Sequence, residues 1–366
     1  MELFNFATAL GIVEISFFLS NDFAKVIRKK MKRIARPVRE RTNKKIKMKV
    51  TDHIKEANGK SLFSFEIVPP VKGQNIQKLY DNIDPLMEFK PKFIDVTTSR
   101  EEYVYLDKGN GLLERKITRM RPGTVGICAS LMHKYNVDTV PHGLCGGFTR
   151  EETEYVLVDL HYLGIDNLVA LRGDAMKHEP SFVPAKGGNN YAVDLVRQID
   201  RLNQGKFLNE TVEMDSKPDF CIGVAGYPEK HFESPSLDSD LQRLKEKVDA
   251  GADYVVTQMF FDNKKYFEFV EAAKNIGITV PIIPGIKPVA VERHLQILPK
   301  VFSLDLPLAL EKAVLDCKGD RASIRQVGIE WAIEQSKELM AAGAPTVHYY
   351  SMGKSDNIVK IAREVF

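Results

Sequence analysis

The chain has 366 residues, of which 44% are hydrophobic and 28% are charged, and its formal net charge is +3. Residues 1–50 carry a net charge of +9 and the remainder carries −6, which excludes a general electrostatic attraction of the body for nucleic acid. The four cysteines are widely spaced, which excludes a zinc or redox motif and fits buried thiols in a reducing cytoplasm.

The first 47 residues differ from the rest of the chain. Their apolar run, residues 10–19, is interrupted by Glu14 and precedes the basic cluster, whereas a secretory signal has its charge first. We interpret residues 1–47 as a basic extension that is either disordered or lies upstream of a true start at Met48. A short membrane anchor is the remaining alternative, and for residues 48–366 we expect no membrane contact.

From residue 60 onward, strand-like and helix-like segments alternate. The expected strands are 62–67, 93–97, 139–144, 168–172, 220–225, 254–258, 282–286 and 347–351. The expected helices are 75–89, 112–134, 150–163, 192–203, 236–250, 263–275, 291–298, 324–342 and 355–364. Several helices end at a glycine, for example Gly164 and Gly343, as helices often do.

Alternating strands and helices predict a parallel sheet covered by helices. Eight such units favour a (β/α)8 TIM barrel formed by residues 48–366 as a single domain, with an open doubly wound sheet as the alternative. No glycine-rich dinucleotide or P-loop motif follows a strand, so a Rossmann or P-loop site is unsupported.

Glu66 is the first candidate catalytic residue. It lies in the sequence Phe63-Ser64-Phe65-Glu66-Ile67-Val68-Pro69-Pro70, and alternation along the strand directs Phe63, Phe65 and Ile67 to one face and Glu66 to the other. Apolar surroundings raise the pKa of a carboxyl group and make a general acid available near neutral pH. The alternative is a structural carboxylate bonded to neighbouring backbone or an arginine.

Polar residues also end the other predicted strands, where a barrel gathers its active site. They are Thr97, His142, Arg172 with Asp174, Tyr227 with His231, and Gln258. Six polar strand ends together favour a functional site over six separate structural roles.

The motifs, taken in order, closely resemble the methylenetetrahydrofolate reductase family. Besides 63–70, they are Val-Ala-Leu-Arg-Gly-Asp (169–174), Tyr-Pro-x-x-His (227–231), Lys-Val-Asp-Ala-Gly-Ala-Asp (247–253), Thr-Gln-Met-Phe-Phe-Asp (257–262) and Pro-Ile-Ile-Pro-Gly-Ile (281–286). The resemblance covers residues 50–366. It implies an FAD-containing (β/α)8 barrel that reduces 5,10-methylenetetrahydrofolate to 5-methyltetrahydrofolate with NADH or NADPH and feeds methionine synthesis in the cytoplasm. We expect a homo-oligomer with a small-molecule folate substrate.

The resemblance also assigns roles to the matching positions. Glu66 matches the general acid, and Asp174 matches a catalytic position that faces both flavin and folate. Gln258 and Lys354 match folate-binding positions, Lys354 in place of the arginine of many relatives. The positions that match cofactor-binding residues are Thr97, His142, Arg172, Gly173, Asp174, Tyr191, Ala192, Tyr227, His231, Asp240, Arg243 and Lys247.

Simpler interpretations of two groups remain open. Asp174 could cap a helix after its strand. Asp240, Arg243 and Lys247 have helical spacing and could form a solvated charged face.

The chain departs from the family pattern at several points. Leu144 stands where many relatives have threonine, Thr98-Ser99-Arg100 replaces a Tyr-Gly pair, His294 replaces a glutamine of some members, and 205–217 is a polar insertion. Two other functions remain possible on the sequence alone, namely a folate-binding barrel without catalysis and a flavin barrel with another substrate.

Overall fold

The computed structural model describes residues 47–176, 179–212, 215–351 and 353–366. The chain divides into two units, residues 1–46 and 47–366, and the second is compact. The predicted N-terminal extension therefore lies outside the described residues, apart from Lys47. Within the described ranges, no helix combines the length and the apolar character needed to cross a membrane.

The second unit is a parallel β-barrel. Its strands are β1 (Leu62–Ile67), β2 (Phe93–Val96), β5 (Asp138–Leu144), β6 (Asn167–Leu171), β7 (Cys221–Gly226), β8 (Tyr254–Thr257), β9 (Ile282–Ile283), β10 (Gly285–Ile286) and β11 (Thr346–Tyr350). The order is β10-β11-β1-β2-β5-β6-β7-β8-β9. Strands β9 and β10 lie on either side of Pro284 and together occupy one strand position: β9 pairs with β8, and β10 pairs with β11. These two pairings close the barrel, which confirms the predicted TIM-barrel fold.

Helices connect the strands and cover the outside of the barrel. They are α1 (Val50–Glu56), α2 (Gln77–Ile83) with a 3-10 turn (Asp84–Phe89), α3 (Thr124–Tyr135), α4 (Arg150–Leu163), α5 (Ala192–Asn203), α6 (Leu237–Asp249), α7 (Asn263–Asn275), α8 (His294–Phe302), α9 (Leu308–Asp316), α10 (Arg321–Ala341) and α11 (Asp356–Val365). Helix α4 illustrates the local signals. Thr149 and Glu152 form a reciprocal capping box at its start, and Gly164 ends it with φ of +66°, a conformation that glycine adopts without strain.

The strand residues divide between two environments. Outward-facing residues such as Phe63, Phe65 and Ile67 belong to the large apolar cluster under the helices. The inward-facing residues form a smaller apolar cluster near the N-terminal ends of the strands, which includes Phe93 and Tyr254, and a polar group near the C-terminal ends.

Helix α1 closes the N-terminal end of the barrel. Val50 is fully buried and, with Ile54, packs against inward-facing strand residues. Asn167 accepts a hydrogen bond from the Val50 amide at 2.8 Å and donates one to the Met48 carbonyl at 2.9 Å. The segment just before β1 is therefore part of the barrel.

The main error of the sequence prediction lies between residues 102 and 134. The expected helix 112–134 is instead β4 (Leu113–Thr118), paired antiparallel with β3 (Glu102–Asp107), followed by the shorter α3. The turn Lys108-Gly109-Asn110-Gly111 has three residues with positive φ, which suits a hairpin. Helices α1 and α9 were not predicted.

Candidate active site

Glu66 lies at the C-terminal end of β1 with its side chain inside the barrel. Phe63, Phe65 and Ile67 pack outward, and only 8% of Glu66 is exposed. The predicted division of the two strand faces is therefore confirmed.

The Glu66 carboxylate meets a charged partner inside the barrel. His142 of β5 places Nε2 3.7 Å from Glu66 Oε2 and 3.5 Å from Asp95 Oδ2. Burial raises the pKa of Glu66 to about 7, the Asp95 charge adds to this effect, and the charges of His142 and Lys287 oppose it. A carboxyl group with this pKa can donate a proton near neutral pH, which a salt-bridged surface carboxylate cannot.

Asp95 was missed in the sequence, although Glu66 and Asp95 face each other in the register of β1 and β2. Asp95 is 1% exposed, and its Oδ1 has no hydrogen-bond partner within the described part of the chain. Burial alone would lower the pKa of His142, but its interaction with Asp95 and the two carboxylate charges raise it overall. His142 therefore lies between two acidic groups, both of which favour its charged form.

Arg172, Gly173 and Asp174 follow β6. Arg172 makes a bidentate ion pair with Glu233, at 2.5 and 2.9 Å, and its guanidinium lies 5.0 Å from the centre of the Phe182 ring. Gly173 has φ of +85° and faces Leu144, so the backbone stays open where a side chain would be strained. Asp174 is exposed, and its charge acts on Arg172 and Tyr227. The next described helix begins only at Ala192, so the helix-cap interpretation of Asp174 is wrong.

A second polar group lies at the end of β7. The rings of Tyr227 and His231 are in edge contact at 4.8 Å. Asp240 accepts hydrogen bonds from the His231 amide at 3.2 Å and from the Ser234 hydroxyl at 2.7 Å. Asp240 is 9% exposed, so it orders the loop before α6 instead of belonging to a solvated charged face.

Lys247 of α6 reaches under the same loop. Its Nζ donates to the Ala225 carbonyl at 2.6 Å, and burial lowers its pKa to about 8 against the opposing Asp240 charge. Within the described ranges its ammonium makes no ion pair at contact distance. A half-buried cation whose charge acts on the nearby His231 ring suits an anionic, ring-containing ligand such as a flavin nucleotide.

The remaining predicted residues make no described side-chain hydrogen bond or ion pair with Glu66. The backbone amide of Thr97 donates to the Ile67 carbonyl at 3.1 Å, and the backbone amide of Gln258 donates to the Gly226 carbonyl at 2.8 Å, so both residues directly follow barrel strands. Tyr191 and Ala192 begin α5, Tyr191 being 60% exposed. The side chains of Arg243 and Lys354 are exposed.

Two further residues of the interior were not predicted. Tyr350 ends β11 and donates its hydroxyl to the Thr257 carbonyl over Gly285 of β10 at 2.6 Å. Lys287 follows β10 and is only 9% exposed. Its charge also acts on His294, where burial first and then Lys287 lower the pKa to about 4. Both residues directly follow apolar strand residues, which was the available signal.

Comparison with known proteins identifies relatives along nearly the whole described barrel. The family model described as methylenetetrahydrofolate reductase matches residues 49–365. Methylenetetrahydrofolate reductase 1 of Schizosaccharomyces pombe is 31% identical over 308 residues, which cover 83% of this chain and 46% of that protein. The 5,10-methylenetetrahydrofolate reductase of Pectobacterium carotovorum is 30% identical over 303 residues, which cover 82% of this chain and 89% of that protein. The chain thus spans about half the length of the first curated relatives it matches and most of the bacterial ones.

A solved structure shares the fold. It is an uncharacterized protein from Clostridium thermocellum, described as binding two copies of 5-methyl-5,6,7,8-tetrahydrofolic acid. Its TM-score is 0.52 at 15% sequence identity, and the match covers 85% of this chain and 97% of that one. At this identity the similarity supports the barrel fold alone.

Proposed function

The chain belongs to the methylenetetrahydrofolate reductase family, and on that premise we propose that it reduces 5,10-methylenetetrahydrofolate to 5-methyltetrahydrofolate with FAD and NADH or NADPH. The product would feed methionine synthesis. The observation that carries the proposal is Glu66, a carboxyl group buried at the barrel mouth whose pKa of about 7 lies in the range of a general acid.

Glu66 would act on the nitrogen that leaves when the five-membered ring of the substrate opens. An amine is a poor leaving group unless it is protonated, so a neutral carboxylic acid beside that nitrogen lowers the barrier to opening. After the transfer, the Glu66 carboxylate would be stabilised by His142, whose Nε2 lies 3.7 Å from Oε2. His142 is itself held by Asp95 at 3.5 Å.

Two residues would position the folate rings. Asp174 is exposed beside the backbone of Gly173, and its carboxylate can accept hydrogen bonds from an amino group and a ring N–H. Gln258 ends β8 on the same rim, and its amide offers both a donor and an acceptor to a pterin edge. Lys354 would add a cation near the carboxylates of the substrate, without the bidentate geometry of arginine.

The cofactor would lie over the ends of β5, β6 and β7. Arg172 and Lys247 supply cations, Tyr227 and His231 supply ring faces, and Gly173 allows close approach of a planar ring. When bound, FAD supplies the hydride that the opened substrate accepts. The Asp174 charge at the ring edge would disfavour a negatively charged ring and so favour hydride donation.

The experiment that tests the proposal follows the flavin absorbance of the purified protein. We expect a yellow protein with non-covalent FAD that bleaches under anaerobic NADH and regains its colour on mixing with methylenetetrahydrofolate. A colourless protein that FAD cannot reconstitute would refute the reductase and favour a folate-binding barrel. A flavoprotein that NADH reduces but folate does not reoxidise would indicate another substrate.

Organisation and location are part of the same proposal. We propose that residues 48–366 act as a single catalytic domain in the cytoplasm and assemble as a homo-oligomer. The free thiols of the described cysteines, three of them buried, suit a reducing compartment.

A further inference from the structure

One row of polar side chains crosses four neighbouring strands inside the barrel mouth. Glu66 is in register with Tyr350 on one side and with Asp95 on the other. Ile286 of β10 is in register with Tyr349, so the next residue, Lys287, is level with Tyr350. Because residues in register on parallel strands share a face, Lys287, Tyr350, Glu66 and Asp95 belong to one interior layer.

Lys287 is an unusual member of this row. It is 91% buried, as its 9% exposure implies, and within the described residues its ammonium has no hydrogen bond or ion pair. Burial of most of the side chain without an ion-pair partner disfavours the charged form and lowers the pKa of Lys287. Its charge nevertheless acts on Glu66. The charge of Lys287 lowers the pKa of Glu66, and the charge of Glu66 raises the pKa of Lys287. A negative charge on Glu66 offsets this effect of burial, because it favours the charged form of Lys287.

The other groups around Glu66 supply only part of the positive charge that would stabilise an ionised Glu66. His142 faces it from β5 but divides its interaction between Glu66 and Asp95, at 3.7 and 3.5 Å. Asp95 faces it from β2 and opposes ionisation. Tyr350 faces it from β11, and its hydroxyl is engaged by the Thr257 carbonyl. Lys287 is the described cation near Glu66 that makes no contact ion pair with another carboxylate.

We propose that Lys287 is a positioning residue that acts through Glu66, stabilising the carboxylate that remains after Glu66 has given its proton to the substrate nitrogen. The inference rests on the proposed reduction of methylenetetrahydrofolate and deepens it. In the step, the O–H bond of Glu66 breaks and an N–H bond forms on the leaving amine. The C–N bond to that amine breaks as the lone pair of the other ring nitrogen forms the C=N bond of an iminium, and the negative charge left on Glu66 lies in the same row as the ammonium. The proton is restored from solvent after turnover.

The test is the pH profile of folate-dependent flavin reoxidation in the Lys287→Met variant. Without the cation, Glu66 holds its proton to higher pH. A unit charge two strand spacings away, roughly 10 Å, predicts a shift of the alkaline limb by about one pH unit. The Lys287→Arg variant keeps the charge, so the alkaline limb of its pH profile should stay at the wild-type pH. The Lys360→Met variant removes an exposed lysine of α11 and serves as the matched control.

A second readout is independent of turnover. The infrared C=O stretch of the protonated Glu66 carboxyl, identified by its loss in Glu66→Gln, should titrate at higher pH in Lys287→Met. If this variant loses its flavin, Lys287→Gln receives the same measurements. In a Glu66→Gln background, Lys287→Met should add little to the loss of rate, because residues that act through one another are non-additive.

The outcomes separate this inference from the proposed function. If Lys287→Met is active and neither the alkaline limb of its pH profile nor the titration of the Glu66 carboxyl moves, the role of Lys287 is overturned and the proposed reductase activity stands. Equal additional losses in the wild-type and Glu66→Gln backgrounds would also overturn it. Absence of folate-dependent reoxidation in the wild-type protein would instead refute the reductase itself.

Discussion

The Glu66→Gln substitution removes one proton from the barrel mouth and keeps the size of the side chain. Glutamine cannot protonate the leaving amine, so we expect folate-dependent reoxidation of the flavin to fall by roughly 10²-fold or more. Reduction of the flavin by NADH should survive, because that step does not need this proton. Stopped-flow absorbance of the two half-reactions measures both effects in one preparation.

The same substitution should stabilise the fold above neutral pH. The ordinary pKa is 4.5 and burial raises it to about 7, so the folded protein binds this proton more tightly than the unfolded chain. Between these two values the free energy of unfolding falls as pH rises. At 1.36 kcal/mol per pKa unit, the loss of unfolding free energy caused by ionising Glu66 reaches about 3 kcal/mol at pH 8. Glutamine carries no charge at any of these pH values, so the variant escapes this loss.

We therefore expect the difference in unfolding free energy between Glu66→Gln and wild type to be small at pH 4.5 and to reach about 3 kcal/mol at pH 8. Urea unfolding at the two pH values measures it. Exposed Glu364 of α11 is the matched control position, where Glu364→Gln should leave both half-reactions and the pH dependence unchanged. Equal loss of both half-reactions, or a stability difference that does not change with pH, would refute this view of Glu66.

Three further predictions concern other parts of the site. Asp174→Asn removes a charge beside Arg172 and Tyr227. We expect a higher flavin potential, weaker folate binding and slower reoxidation, and an unchanged potential and affinity would place Asp174 outside the site. Lys247→Met should raise the FAD dissociation constant at least about tenfold, as measured by flavin fluorescence, whereas Lys245→Met on the same helix should not. A chain that starts at Met48 keeps the contacts of α1 with Asn167 and should bind FAD and turn over like the full chain, and insolubility would contradict this expectation.

The sequence was sufficient to predict the alternation of strands and helices and the face of Glu66, because both depend on local periodicity. Periodicity left an open sheet as the alternative, and the family resemblance favoured the barrel. Apolar residues alternate in β1, and glycine ends helices such as α4, so the strand and helix positions are specified within a few residues of chain. The same local reasoning failed at Leu113 and Ile117. Their spacing suits a helix, yet they lie 65% and 63% exposed on a hairpin, where cross-strand pairing overrides helical periodicity.

The row of Lys287, Tyr350, Glu66 and Asp95 could not be predicted because it depends on register between distant strands. Glu66 and Tyr350 are paired by the β1–β11 ladder, although 283 other residues separate them in the chain. A lysine after a strand is ordinarily a surface residue. Only closure of the barrel shows that this lysine points toward an acid.

Val50 and Ile54 pack apolar side chains against the inward-facing strand residues and close the N-terminal end of the barrel interior. That end is packed with apolar side chains, so the mouth is the polar route by which Glu66, Asp95 and His142 exchange protons with bulk solvent. A ligand bound at the mouth would block this proton exchange with bulk solvent. The number of protons held by the three groups would then be fixed when the ligand arrives and could be reset only when it leaves.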